Sequence, residues 1–221
     1  MCFNLFYPLK ALFEKDHKAA AKIFRACLPS LKIAEIVAVE IEYLPYPKSE
    51  YLNDLTAFDA MLIYTNISGE RNILAIETKY VEKLGVNASN KDSKTKQEEL
   101  VDESLLFNAD AKSKASFGFG QLGRNILLAE KFRIVNRLDK AFAVVISPAE
   151  NDSSQKEIND FHTVMHPDYH DRLFYLSLEE TVDQIKDNVP KALLPWIQDF
   201  NRRYLGFSEC DAEYTGYKKA W

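Results

Sequence analysis

Glu77 and Lys79 interrupt the run Ile73-Leu-Ala-Ile-Glu-Thr-Lys-Tyr-Val81, which is otherwise suited to a buried strand. Side chains at i and i+2 of a strand share one face. Charges placed there need partners, because an unpaired buried charge is heavily penalised. Asp59 opens a second apolar run, Asp59-Ala-Met-Leu-Ile-Tyr64, one hairpin upstream. Two acids and a lysine converging on one sheet edge make a site for a divalent cation and a phosphate. The plain alternative is a cross-strand ion pair with no chemistry. The apolar setting favours the first reading, since it gives the charges a reason to be there.

Around these residues the chain reads as a mixed α/β layer architecture. Leu9, Leu12, Phe13, Ala20, Ile23, Phe24 and Cys27 keep helical spacing and predict one helix from about Leu9 to Leu28, ended by Pro29-Ser30. Residues 35–44 are β-branched and alternating. They predict a strand with Val37, Val39, Ile41 and Tyr43 on one face and Ala38, Glu40 and Glu42 on the other. Strands over about Phe58–Thr65 and Ile73–Val81 follow, joined by a turn around Ser68-Gly69. Three sequential strands with short links suggest an antiparallel meander. Residues 85–116 are polar and charged, helical in part around Gln97 to Leu106, and read as a mobile or partner-facing excursion. A helix from Gln121 to Phe132 shows Leu122, Ile126 and Leu127 as its apolar side, and Ala141–Ser147 is a buried strand stopped by Pro148. Weaker signals beyond it give a last strand at Leu173–Ser177, helices at Leu178–Ile185 and Pro190–Tyr204, and an irregular tail after Gly206.

A chain of 221 residues is expected to form one domain, with its core over about 9–147 and an extension over 148–221. The net charge of −5 excludes a generally basic nucleic-acid coat but not a local positive groove. Cys2, Cys27 and Cys210 match no zinc spacing and no disulfide framework, so they read as reduced thiols in a cytoplasm. The apolar start lacks a basic n-region and a cleavage site, so no signal peptide is expected, and no run reaches the length of a membrane span.

Mg²⁺ takes hard oxygen ligands, keeps several waters, and needs only one or two carboxylates from the protein. Asp59 and Glu77 suit that role, with the backbone carbonyl of Thr78 between them as a further ligand. Lys79 is placed to orient a water or to neutralise charge developing on a phosphate. Without a cation the two facing carboxylates repel, and one should hold its proton.

The order helix, strand, strand with Asp59, Glu77-x-Lys79 strand, helix opening on Gln121 resembles the PD-(D/E)XK nuclease superfamily over roughly residues 9–147. The stretches Thr56-Ala-Phe-Asp59 and Glu77-Thr-Lys-Tyr-Val-Glu82 are similar to an uncharacterised bacterial branch of it. The resemblance implies a restriction-endonuclease-like fold, an α/β mixed β-sheet flanked by helices. It implies Asp59 and Glu77 as metal-binding acids, Lys79 as catalytic lysine, and Gln121 contacting the site or the nucleic acid, with Arg124 and Asn125 reaching phosphate. It also implies Mg²⁺ or Mn²⁺ as cofactor and hydrolysis of phosphodiester bonds, in DNA first, by in-line attack of a metal-activated water. Many relatives pair as homodimers to cut both strands. Phe58 stands where the motif has proline. Members often carry one more acid upstream: Glu42 is the first choice here, Glu40 and Glu14 come after, and a solvated strand face is the equal alternative for Glu42. A catalytically silent nucleic-acid-binding subunit of a defence or repair complex is the competing function; a third is an interaction protein built on the Tyr-rich loop.

Other signals read more plainly. His162, His166 and His170 recur every four residues, but Pro167 and Asp168-Tyr169 break the helix that zinc binding would need, so loop or capping roles are expected. Lys83, Lys91, Lys94 and Lys96 could steer phosphates, yet the accompanying acids make a solvated mixed-charge face the better reading. Gly118 and Gly120 form no nucleotide fingerprint. Tyr43, Tyr46 and Tyr51 could stack bases, with core or rim packing as the default.

Overall fold

The structure, a computed structural model, describes residues 1–80, 91–113 and 120–206, the side chains of Lys91 and Ser113 excepted. Its centre is a five-stranded sheet in the order β1-β2-β3-β4-β5, with β1 Ile33–Tyr43, β2 Phe58–Asn66, β3 Arg71–Thr78, β4 Lys140–Ser147 and β5 Leu173–Ser177. The first three strands form the expected antiparallel meander; β3–β4 and β4–β5 are parallel pairs. Parallel neighbours require crossovers. The first carries α3 Lys91–Glu103 and α4 Gln121–Val135, and the second carries α5 Asp152–His162. Helices α1 Cys2–Lys15, α2 His17–Cys27, α6 Leu178–Asn188 and α7 Leu194–Leu205 complete the architecture. The α/β mixed sheet flanked by helices therefore stands as expected.

Two apolar cores lie on the two faces of this sheet. Ile73 and Ala75 of β3 join the core under α3, α4 and α5, while Leu74 and Ile76 join the core under α1, α2, α6 and α7. A strand buried on both faces reads as a continuous apolar run, which is why β3 shows no alternation. α6 and α7 contribute Val182, Ile185, Ile197 and Phe200 to the second core, so the chain beyond 147 helps to build it. Among the described residues no helix is long and apolar enough to cross a membrane.

The single helix expected over Leu9–Leu28 is two helices. Asp16 leaves helical geometry (φ −147°, ψ 86°), and its carboxylate accepts the Ala19 N–H at 3.0 Å as the cap of α2. Helical spacing carries across the break because both helices cover the same sheet face. α1 also starts earlier, at Cys2, with Pro8 inside it. Proline has no N–H for the carbonyl four residues back; the orphaned Asn4 oxygen accepts the Trp196 indole N–H of α7 at 2.8 Å.

On β1 the expected faces are corrected. Irregularities at Ile33/Glu35 and Ile36/Ala38 break the alternation. Ile36 takes the core position and Val37 is 40% exposed; Val39 and Ile41 face α1 and α2, whereas Ala38 and Tyr43 face α4. β3 ends at Thr78 rather than Val81. The described part of the polar excursion is a packed element: α3 buries Leu100 and Val101, and Ser93 Oγ donates to Asp54 Oδ2 at 2.8 Å. α5, unmarked in the sequence reading, buries Ser154, Ile158 and Phe161. α7 begins at Leu194, after a 3-10 turn over Lys191–Leu193, not at Pro190. Residues 81–90, 114–119 and 207–221, and with them Glu82, Lys83, Gly118 and Cys210, lie outside the described residues.

Candidate active site

Three element ends meet at one edge of the sheet. β2 and β3 place Ala60 opposite Ile76, so Asp59 and Glu77 come next, opposite each other. β3 runs beside β4 with Glu77 at Val145 and Thr78 at Ile146, and the Lys79 N–H still donates to the Ile146 carbonyl at 2.9 Å. That bond keeps the chain extended through Lys79, so Glu77 and Lys79 stay on one face. The first turn of α4 crosses this edge. Gln121 and Asn125, at i and i+4, present their amides from the same side of the helix.

Glu77 is the hub. Lys79 Nζ lies 2.7 Å from Glu77 Oε1. Gln121 Nε2 donates to that same oxygen at 2.5 Å, and Asn125 Nδ2 donates to Oε2. Lys79 Nζ also donates to Gln121 Oε1 at 2.9 Å, so one amide joins carboxylate and ammonium. Asp59 is held separately: its Oδ2 accepts both the Thr78 N–H and the Thr78 hydroxyl, each at 2.8 Å. In a strand a residue's N–H and carbonyl point to the same side, so the Thr78 carbonyl also faces β2.

Glu77 is only 2% exposed. Burial, reinforced by the Asp59 charge, pushes its carboxyl up to about 7 even though Lys79 and Asn125 favour the ionised form. Glu42, opposite Asp59 by the β1–β2 register, is raised as well, by desolvation and then by Asp59. It is exposed and sits at φ 50°. Glu40 is engaged elsewhere, with Lys10 at 2.6 Å, and Glu14 is exposed on α1. The Cys2 thiol donates to the Asp59 carbonyl at 3.0 Å; burial and then the Asp59 charge push it up to about 12, so it stays a neutral thiol.

These donors suit a hard cation. Among the described residues no three His, Cys, Asp or Glu side chains gather into a metal cage. Asp59 and Glu77 could supply the one or two carboxylates that Mg²⁺ takes from a protein. Asn125 Oδ1, buried and without a hydrogen-bond partner, adds an acceptor beside Glu77 that a bound water would satisfy.

The four residues read from the sequence, Asp59, Glu77, Lys79 and Gln121, are thus gathered at one edge. Asn125, expected to reach phosphate, donates its amide N–H to Glu77. Arg124 is buried in the same turn of α4. The roles of the Thr78 N–H and hydroxyl and of Cys2 were missed; only the side-to-side alternation of strand N–H groups hinted at the first. The histidines take other work. His166 Nδ1 accepts the Asp168 N–H at 3.3 Å as a cap, and His162 Nε2 lies 2.9 Å from the Leu173 carbonyl. Tyr43 and Tyr51 pack on Phe132, while Tyr46 is exposed. Lys94 is solvated, and Lys96 donates to the Ser49 carbonyl.

A family model described as the PD-(D/E)XK nuclease superfamily matches residues 1–206. No curated protein and no solved structure matches the chain.

Proposed function

Since the chain belongs to the PD-(D/E)XK nuclease superfamily, we propose that it is a metal-dependent nuclease hydrolysing phosphodiester bonds in DNA with Mg²⁺ or Mn²⁺. The observation that carries this reading is the buried Glu77 carboxylate, facing Asp59 and bridged to Lys79 by Gln121. A structural ion pair gains nothing from a second acid facing it, whereas a shared cation would offset the repulsion between two facing carboxylates.

Asp59 and Glu77 would hold the cation, with the Thr78 carbonyl as a further ligand and Glu42 as an additional acid. When bound, the cation polarises the scissile phosphate and lowers the pKa of an attacking water. Lys79 neutralises charge that develops on the phosphate. Gln121 fixes the position of the Lys79 ammonium, and Thr78 fixes that of Asp59. Arg124 is assigned to substrate phosphate. Asn125 is assigned to holding Glu77 ionised and in place. A homodimer would supply the two such sites that cutting both strands requires.

The test is cleavage of plasmid and linear DNA by purified protein in Mg²⁺ and in Mn²⁺. Cleavage that is stopped by chelation, and that falls by roughly 100-fold or more in Asp59→Ala, Glu77→Ala and Lys79→Ala, is the expected result. Full activity in Asp59→Ala or Lys79→Ala rejects the assigned roles, and no cleavage with either ion rejects the function.

A further inference from the structure

A second feature lies in the helix layer that covers the other face of the sheet. α1 and α7 enclose a groove of about 260 Å³, below the roughly 300–1,000 Å³ typical of small-molecule pockets. α1 contributes Phe3 and Tyr7, one turn apart and 57% and 65% exposed. α7 contributes Trp196, Arg203 and Tyr204, spaced to share one helix face. The groove is built. The Trp196 indole is pinned to the Asn4 carbonyl that Pro8 leaves open, and Asn4 Nδ2 donates to the Tyr204 hydroxyl at 2.7 Å. The polar edges of both rings are therefore occupied, and Tyr204 also packs on Phe200 with ring centroids 4.5 Å apart, so the open ring faces are those of Phe3 and Tyr7.

Two backbone segments connect it to the acids, although Tyr80 faces the α1/α7 side of the sheet and Glu77 and Lys79 face α4. Cys2, the residue before Phe3, holds the Asp59 carbonyl. Tyr80, the residue after Lys79, donates its hydroxyl to the Tyr204 carbonyl at 3.0 Å and meets the Tyr204 ring edge-on at 5.5 Å. Asp199 also lines the groove, and its carboxylate is 2.8 Å from Arg202. For Arg203 no ion pair is found among the described residues, so the groove presents a cation beside its rings.

We propose that this groove binds an unpaired nucleobase of the strand being cut, in a stretch away from the scissile phosphate. The location rests on the nuclease reading; the chemistry rests on the groove. Aromatic faces bind bases by stacking, without regard to sequence, and an adjacent arginine meets the backbone phosphate. A base paired within a duplex offers no open face, so the ligand is single-stranded or frayed nucleic acid.

Binding of a fluorescein-labelled oligothymidylate, followed by anisotropy in Ca²⁺, tests this directly, with a duplex of equal length as the comparison. Phe3 and Tyr7 are exposed, so substitutions there leave the cores intact. Phe3→Ala and Tyr7→Ala should each weaken single-strand binding by about five- to a hundredfold, the range that one lost stacking contact spans. Phe3→Tyr should retain affinity, Phe3→Leu should not, and duplex affinity should be unchanged. In Mg²⁺ the same variants should raise KM for single-stranded substrate and leave kcat alone. Wild-type protein that ignores the single strand, variants that bind as wild type, or a Phe3→Leu variant that binds fully would each overturn the proposal. Ring-dependent binding by a wild type that cuts nothing with Mg²⁺ or Mn²⁺ would keep the groove and remove the nuclease reading.

Discussion

Glu77 receives three donors and still titrates near neutrality, because burial and Asp59 outweigh them. Its folded pKa of about 7 lies above the ordinary value of 4.5. Between these values the folded state binds more protons than the unfolded one, so this contribution to stability is complete below about pH 4.5 and lost as pH rises through about 7. The whole effect is on the order of 3 kcal/mol. Urea unfolding of metal-free protein should therefore show wild type losing stability relative to Glu77→Gln across that window; parallel profiles would refute the placement of Glu77. Asn125→Ala removes a donor that favours the carboxylate. Activity at neutral pH should drop by about 10- to 100-fold, as for other residues that support a metal ligand. The acid limb of the pH–rate profile should also move to higher pH, and an unmoved limb would show that Asn125 does not act through Glu77. Asp59, Glu77, Lys79 and Gln121 were legible because strand alternation and a motif name them. Asn125 was half legible: its spacing from Gln121 fixes its helix face, but nothing in sequence says whether an amide there meets a carboxylate or a phosphate.

At the scale of elements, the site depends on where strands and helices stop. β5 was read at its observed bounds because a short apolar run sits between polar stretches. The break between α1 and α2 was hidden, since apolar spacing continues through it and only the capping chemistry of Asp16 marks the stop. Asp16→Ala should cost about 1 kcal/mol in urea unfolding, and Asp16→Asn should restore most of it. An Asp16→Ala variant as stable as wild type would mean that the cap does not hold α2. The β1 irregularities were illegible for a different reason: an extra residue in a strand changes which side chains face inward without changing composition. Glu42 lies beyond both irregularities, where the pairing of Ile41 with Ala60 and of Tyr43 with Phe58 brings it opposite Asp59, and its left-handed backbone left no mark in the sequence.

Across the whole molecule, the two cores share one sheet, and β3 contributes alternate residues to both. We propose that the described chain unfolds as one unit for that reason. Leu74→Ala and Ile73→Ala, buried on opposite faces of β3, should each cost about 2–5 kcal/mol. Each should give one transition, coincident by circular dichroism and tryptophan fluorescence; separated transitions would show two units. The layer architecture was legible from the order of apolar runs. That α6 and α7 complete the core begun by α1 and α2 was not, because such pairing over so long a separation leaves no local signal. The same pairing forms the aromatic groove between α1 and α7. Asp59 and Glu77 are expected to share one cation, which the anomalous scattering of a crystal soaked in Mn²⁺ reads directly. A peak between these two carboxylates, absent in Glu77→Ala, is the expected result; a peak elsewhere, or none in a crystal with both side chains ordered, would contradict it.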